Sequence, residues 1–257
     1  MLKFSPHNAK TKALYDVPAL AEYLQDKRKV YSLDLSAGHS CPGAKQCLSR
    51  AVPRDDDPTR FRILDGPHCD YRCFSASQEV QYPSTRAMRW HNYQCLRQMR
   101  GKNQCYRLLA DSLPDNCGVL RYHVAGDFFK LSYLHGALLL AQARPDVLFY
   151  GYTKSLRFLL NLPMYNPHYG IFHNPNFLLT ASWGGKWDHL IGDLGIRSAR
   201  VVKSVEKAGM LPIDHDDSHA ATIGGHFALL IHGTQPAGSD SAKALQALKG
   251  QGSYARK

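Results

Sequence analysis

No stretch of this 257-residue chain approaches the ~20 consecutive apolar residues that a membrane span requires, so a transmembrane helix is excluded. Internal repeats and long low-complexity segments are missing too. With 44% hydrophobic residues the chain has the material for a buried core, and a disordered chain is ruled out. No GxGxxG and no P-loop follows any apolar run, which removes the main nucleotide-binding folds. Acidic residues are the scarce charge: 21 stand against 32 basic ones, a formal net charge of +11. That balance favours phosphate-rich partners as much as it describes a solvated surface. The opening MLKFSPHNAKTK is basic but is followed by no apolar stretch, so it is not expected to act as a secretory signal. A cytoplasmic location is the expectation. Seven cysteines is an odd number, and a reducing cytoplasm keeps thiols free, so metal ligation or plain burial is expected in place of a disulfide scaffold.

What is present has a rhythm. Apolar, β-branched or aromatic runs at 30–37, 119–127, 147–153, 176–182, 199–204 and 226–233 read as buried strands. Helical patterns lie between them: 75–100, where Pro83 marks a kink or a new start, then 133–144, stopped by Pro145, then 156–162, 187–195 and a closing segment near 239–250. Strands alternating with helices imply parallel pairing. Polar residues end nearly every strand, which suits a (β/α) barrel, where such a rim builds the site. The expected fold is therefore α/β, a partial (β/α)6 TIM-like barrel in a single domain. Residues 1–29 form an N-terminal extension, 38–75 a cysteine-bearing loop after the first strand, and 250–257 a fraying tail.

That loop holds the densest chemistry. AGHSCPGAKQCLSR and GPHCDYRCFSAS give Cys41 and Cys47 as C-x5-C and Cys69 and Cys73 as C-x3-C. Gly38, Pro42 and Gly43 make the first pair turn-rich, with backbone amides free for anionic sulfur. His39 and His68 lie alongside as further donors, and Lys45, Arg50 and Arg72 would offset the charge of an anionic cluster. Three readings stay open: an iron–sulfur cluster, a structural zinc, and four unrelated thiols. C-x3-C fits zinc spacing and C-x5-C does not. Cys95, Cys105 and Cys117 read as ordinary buried thiols.

A loop leaving the first strand of a six-stranded partial barrel is similar in placement to the cluster loop of radical S-adenosylmethionine enzymes, although their usual C-x3-C-x2-C motif is absent. A closer likeness covers most of the chain, from about Ser32 to Gly250. SLDLSAGHSCPGAKQCLSR, DGPHCDYRCFSASQE, HVAGDFF, PDVLFYGYTKS, LTASWGG, DHDDSHA and FALLIHGTQP together resemble the gene-product-88 family of bacteriophage proteins. The resemblance implies a phage-encoded protein acting in the host cytoplasm. Its pattern falls on Cys41, Cys47 and Cys73, while Cys69 stands where relatives often lack cysteine. The implied cofactor is an iron–sulfur cluster of the 4Fe–4S type on those three thiols, with Cys69 or an open position as the fourth. S-adenosylmethionine is a doubtful second cofactor, since the motif that goes with it is missing.

Around the expected rim, Asp127, Lys154, His219 and His232 are candidates for handling a small molecule. Asp127, at the end of its strand, shares a strand face with His123 at i and i+4 and is expected to point into the barrel mouth, and Ser155 adjoins Lys154. DHDDSH at 214–219 packs three carboxylates and two histidines, enough to bind a hard cation or supply a base, but also enough to cap turns. Asp216, Asp217 and His219 are its second-tier candidates. Trp90, Tyr93, Tyr152, Trp183 and Trp187 interleave with basic residues, as weak, sequence-indifferent nucleic-acid binding would use. Two functions are expected to compete: a redox or enzymatic cluster protein, and a cluster- or zinc-bearing nucleic-acid-binding regulator without turnover.

Overall fold

A computed structural model describes residues 1–250 apart from 9, 163–164, 167–170, 173 and 223. The predicted tail at 251–257 lies outside the described residues. In chain order the strands are β1 (Ser5–Pro6), β2 (Lys29–Leu33), β3 (Ser49–Pro53), β4 (Phe61–Asp65), β5 (Cys117–Tyr122), β6 (Leu148–Thr153), β7 (Tyr165–Asn166), β8 (Ile171–Phe172), β9 (Phe177–Ser182), β10 (Ser198–Val202) and β11 (Phe227–Leu230). The α-helices are α1 (Ala21–Leu24), α2 (Phe74–Gln81), α3 (Pro83–Gln98), α4 (Lys102–Ser112), α5 (Leu131–Ala143), α6 (Leu190–Asp193), α7 (Ser218–Ala221) and α8 (Asp240–Ala247).

Seven strands make one curled sheet in the order β1-β2-β5-β6-β9-β10-β11. Only β1 is antiparallel; the other six are parallel and lie in sequence order. The strand runs expected from apolar patterning all appear, each shorter than its run. β5 is buried along its whole length, as a parallel strand covered on both faces must be. Register stacks Val30 on Val119, Val119 on Leu148, and Phe149 on Phe177. On one face Leu120, Tyr122 and Phe149 pack with Leu109, Leu134 and Leu138 from α4 and α5. On the other, Val30, Val119 and Tyr150 pack with Leu14, Leu20 and Phe227.

The helical layer is less regular than a (β/α)6 barrel. Between β6 and β9 the chain forms a 3-10 turn, Leu156–Asn161, and the short β7–β8 hairpin. The β9–β10 and β10–β11 crossovers carry only the four-residue α6 and α7. Gly192 and Gly195 sit within and just after α6, and Gly195 takes a left-handed backbone (φ 58°), which keeps that helix short. Pro83 does start a new helix, at the first turn of α3. Ser239 caps α8 by accepting from the Ala242 amide. Patterning did not anticipate α4 or the antiparallel hairpin β3–β4, which lies inside the cysteine loop.

Candidate functional site

The cysteine loop leaves β2 and lies across the ends of the parallel strands. Near β6, Gly43 packs so closely on the Lys154 carbonyl that an added Cβ would collide with it and with Trp187. Past β9, the Lys45 and Gln46 amides donate to the Gly184 carbonyl, and the Lys186 amide donates to Gly43. Near β10, Lys203 pairs with Asp70 at 2.9 Å. Past β11, the Arg72 amide donates to the Gln235 side chain at 2.8 Å, and the His232 ring lies 4.7 Å from that of Phe74. The loop thus ties together the C-terminal ends of the sheet.

Within it Cys41, Cys47 and Cys73, all half-buried, stand within electrostatic reach of one another. Burial pushes each thiol up from its ordinary range; neighbouring Asp127 and the other two thiols push Cys41 further. The Lys154 ammonium works the other way at Cys47. Cys73 sits at the N-cap of α2, where the Ser75 and Ala76 amides favour its ionised form. Cys69 also stands within electrostatic reach of Cys47 and Cys73; its thiol donates to the Tyr71 carbonyl at 3.3 Å and lies 3.6 Å from the Ser49 hydroxyl. Among the described residues, no group of three or more His, Cys, Asp and Glu side chains is placed to hold a metal ion.

Two predicted rim residues join the three thiols. The Asp127 carboxylate accepts from the Thr153 hydroxyl at 2.6 Å, the Phe128 amide at 2.7 Å, the Lys154 amide at 2.8 Å and the Ser155 hydroxyl at 3.3 Å. Burial still outweighs these donors and pushes its pKa up to about 6. Lys154 is buried and donates through Nζ to the Ser182 hydroxyl at 2.5 Å, the Ser182 carbonyl at 3.1 Å and the Trp183 carbonyl at 2.6 Å. His232 adjoins the loop through Phe74, and burial lowers its pKa to about 4.

The remaining candidates go elsewhere. His219 stacks on Phe227, the first residue of β11, and its carbonyl accepts from Arg197, which precedes β10. It therefore belongs to the opposite end of those strands. His123 does not share a strand face with Asp127, because β5 ends at Tyr122 and His123 takes a left-handed backbone (φ 65°). Its Nε2 pairs with the Tyr133 hydroxyl on α5 at 2.9 Å. His39 packs edge-on against Trp90. In DHDDSH, Asp214 and Asp216 accept backbone amides of their own turn.

Asp217 has a different role. It is fully buried, pairs with Arg121 and with Lys10 at 2.8 Å, and accepts from Tyr150 at 3.2 Å and Tyr152 at 3.3 Å. These two cations hold its carboxyl below the usual range against the opposing effect of burial. The sequence signal for this centre was an arginine in the middle of an apolar strand, VLRYH. Such a charge must find a buried partner.

Compared with known proteins, the chain matches the family model described as Gene product 88 over residues 2–249. The chain belongs to the Gene product 88 family. No curated protein and no solved structure matches it. No helix among the described residues is long and apolar enough to cross a membrane.

Proposed function

We propose that this Gene product 88 family protein is an iron–sulfur protein, its cluster held by Cys41, Cys47 and Cys73 at the C-terminal rim of the sheet. The observation that carries the reading is the convergence of the half-buried Cys41, Cys47 and Cys73 from separate stretches of one loop, Cys41 lying within electrostatic reach of both others and Cys73 within reach of Cys47. Three such thiolates need a cationic group between them to ionise together, and the donor set, all sulfur, suits iron–sulfur chemistry. Amide donors at the start of α2 and the Lys154 ammonium add to that stabilisation.

A cluster is preferred to a single zinc because the C-x5-C spacing of Cys41 and Cys47 lies outside the usual zinc range, while the C-x3-C of Cys69 and Cys73 falls within it. Cys41, Cys47 and Cys73 would hold such a cluster and leave room for a fourth ligand or a substrate; Asp127 lies within electrostatic reach of Cys41 and Cys47, and Lys154 of Cys47. A redox or enzymatic role follows from that arrangement, with the cluster supplying the electron chemistry when bound. S-adenosylmethionine as a co-substrate rests only on the likeness of loop and sheet to radical enzymes.

Iron and acid-labile sulfide analysis on anaerobically purified protein tests the reading. Brown protein with both elements is expected, bleached in Cys41→Ala, Cys47→Ala and Cys73→Ala and retained in Cys69→Ala. Colourless protein with stoichiometric zinc sinks it. Colourless, metal-free protein that binds duplex DNA with a steep salt dependence would favour the binding role instead.

A further inference from the structure

Beside the rim, and independent of whether a cluster is bound, the thin part of the sheet leaves room for a ligand. Because α6 is a single turn, a cavity of about 490 Å³ opens between it, β10 and the start of β11, lined by Trp183, Ile191, Ile196, Leu211 and Phe227. A second cavity of about 330 Å³ adjoins it, sharing Trp183 and Arg200, and reaches Gln46 and Tyr71 in the cysteine loop. Sizes of this order suit a small organic molecule.

The polar groups of the larger cavity point to one kind of ligand. The Trp183 indole N–H donates to the Ser198 hydroxyl at 2.9 Å. The His226 Nδ1 accepts from the Ser198 amide at 3.1 Å and meets the same hydroxyl at 2.8 Å. With Nδ1 used as an acceptor, the His226 proton belongs on Nε2, which becomes a donor. Arg200 lies with its guanidinium 5.2 Å from the Trp183 ring centre. Among the described residues no carboxylate comes within ion-pair distance of it. The acids lining the smaller cavity are engaged elsewhere: Asp70 with Lys203, and Asp188 with the Gly184 and Gly185 amides. Arg200 thus brings a permanent cation without a carboxylate partner to an apolar cavity that also holds the Ser198–His226 pair.

We infer that this cavity binds a small organic acid, its flat apolar body against Trp183, Ile196 and Leu211 and its carboxylate on Arg200 and His226. An arginine without a carboxylate of its own attracts one through its charge and its paired donors, and a neutral amide of the same shape forfeits that charge.

Calorimetric titration of the full chain with 1-naphthoate and with its neutral counterpart 1-naphthamide tests this, with the metal content of the protein recorded in parallel. Naphthoate is expected to bind at micromolar concentration and naphthamide about tenfold more weakly or worse. Arg200→Gln, at an exposed position, should weaken naphthoate about tenfold and erase the preference over the amide. A thermal melt close to the parent's would show that the variant folds. Equal binding of acid and amide, an unaffected Arg200→Gln, or no binding of naphthoate up to about 1 mM would each overturn the inference.

Discussion

Asp127 and Lys154 are joined through the backbone, not as an ion pair: the Lys154 amide donates to the Asp127 carboxylate at 2.8 Å, while the Lys154 ammonium turns away to Ser182 and Trp183. The β5 exit is thereby tied to the β6 exit, and the β6 exit to the end of β9. The cysteine loop rests on this tie, because Gly43 packs on the Lys154 carbonyl.

Removing the carboxylate should loosen the loop. Asp127→Ala leaves two backbone amides and two hydroxyls without their acceptor and is expected to cost about 3 kcal/mol in urea unfolding. Gly43→Ala, which adds one methyl against the Lys154 carbonyl, should likewise detach the loop and increase the alkylation rate of Cys41 and Cys47. Unchanged alkylation in Gly43→Ala would mean that the loop does not depend on this contact.

The Arg121–Asp217 pair should behave as a buried pair does. Asp217→Asn leaves Arg121 charged and underpaired in the interior and is expected to cost about 3 kcal/mol or more. Adding Arg121→Met to that variant should recover part of the loss, since the orphaned charge goes with it. A double variant as unstable as the sum of the singles would show that the two residues act independently.

Acid should weaken the fold through His123. Burial, then the Arg121 charge, lowers its pKa to about 3, so the folded state keeps it neutral where the unfolded chain protonates it. The unfolded state then binds more protons, and stability falls as pH drops from about 6.5 toward 3, by up to about 1.4 kcal/mol per pH unit from this site. Above pH 7 the contribution is flat. His123→Asn, which tolerates the left-handed backbone, should show a shallower fall in urea unfolding between pH 7 and 4 than the parent; parallel curves would refute the assignment.

Cys69 should matter little to stability. Its thiol makes only weak sulfur bonds, to the Tyr71 carbonyl and the Ser49 hydroxyl, so Cys69→Ala is expected to cost about 1 kcal/mol or less by thermal melting.

Much of this architecture was legible from apolar runs alone. Six buried parallel strands have to be β-branched, aromatic and uninterrupted, and VLRYH and VLFYGYT could hardly be anything else. The β3–β4 hairpin was not legible, because SRAVP and FRILD are half-exposed and carry charge, and their pairing depends on the loop that spans the rim. In the site, Asp127 and Lys154 followed from their place at strand ends. His123 misled, because one left-handed residue turned its side chain toward α5. Arg200 and His226 gave no sign in one dimension: what makes them a pair is a helix too short to cover them.

Lys10 and Asp217 pair across 217 − 10 = 207 positions of sequence. During synthesis the first turn of the chain therefore emerges long before its partner exists. Until the ribosome has delivered DHDDSH, Arg121 and Lys10 have no carboxylate at position 217 to meet, so this buried charge centre closes only when nearly the whole chain has been made.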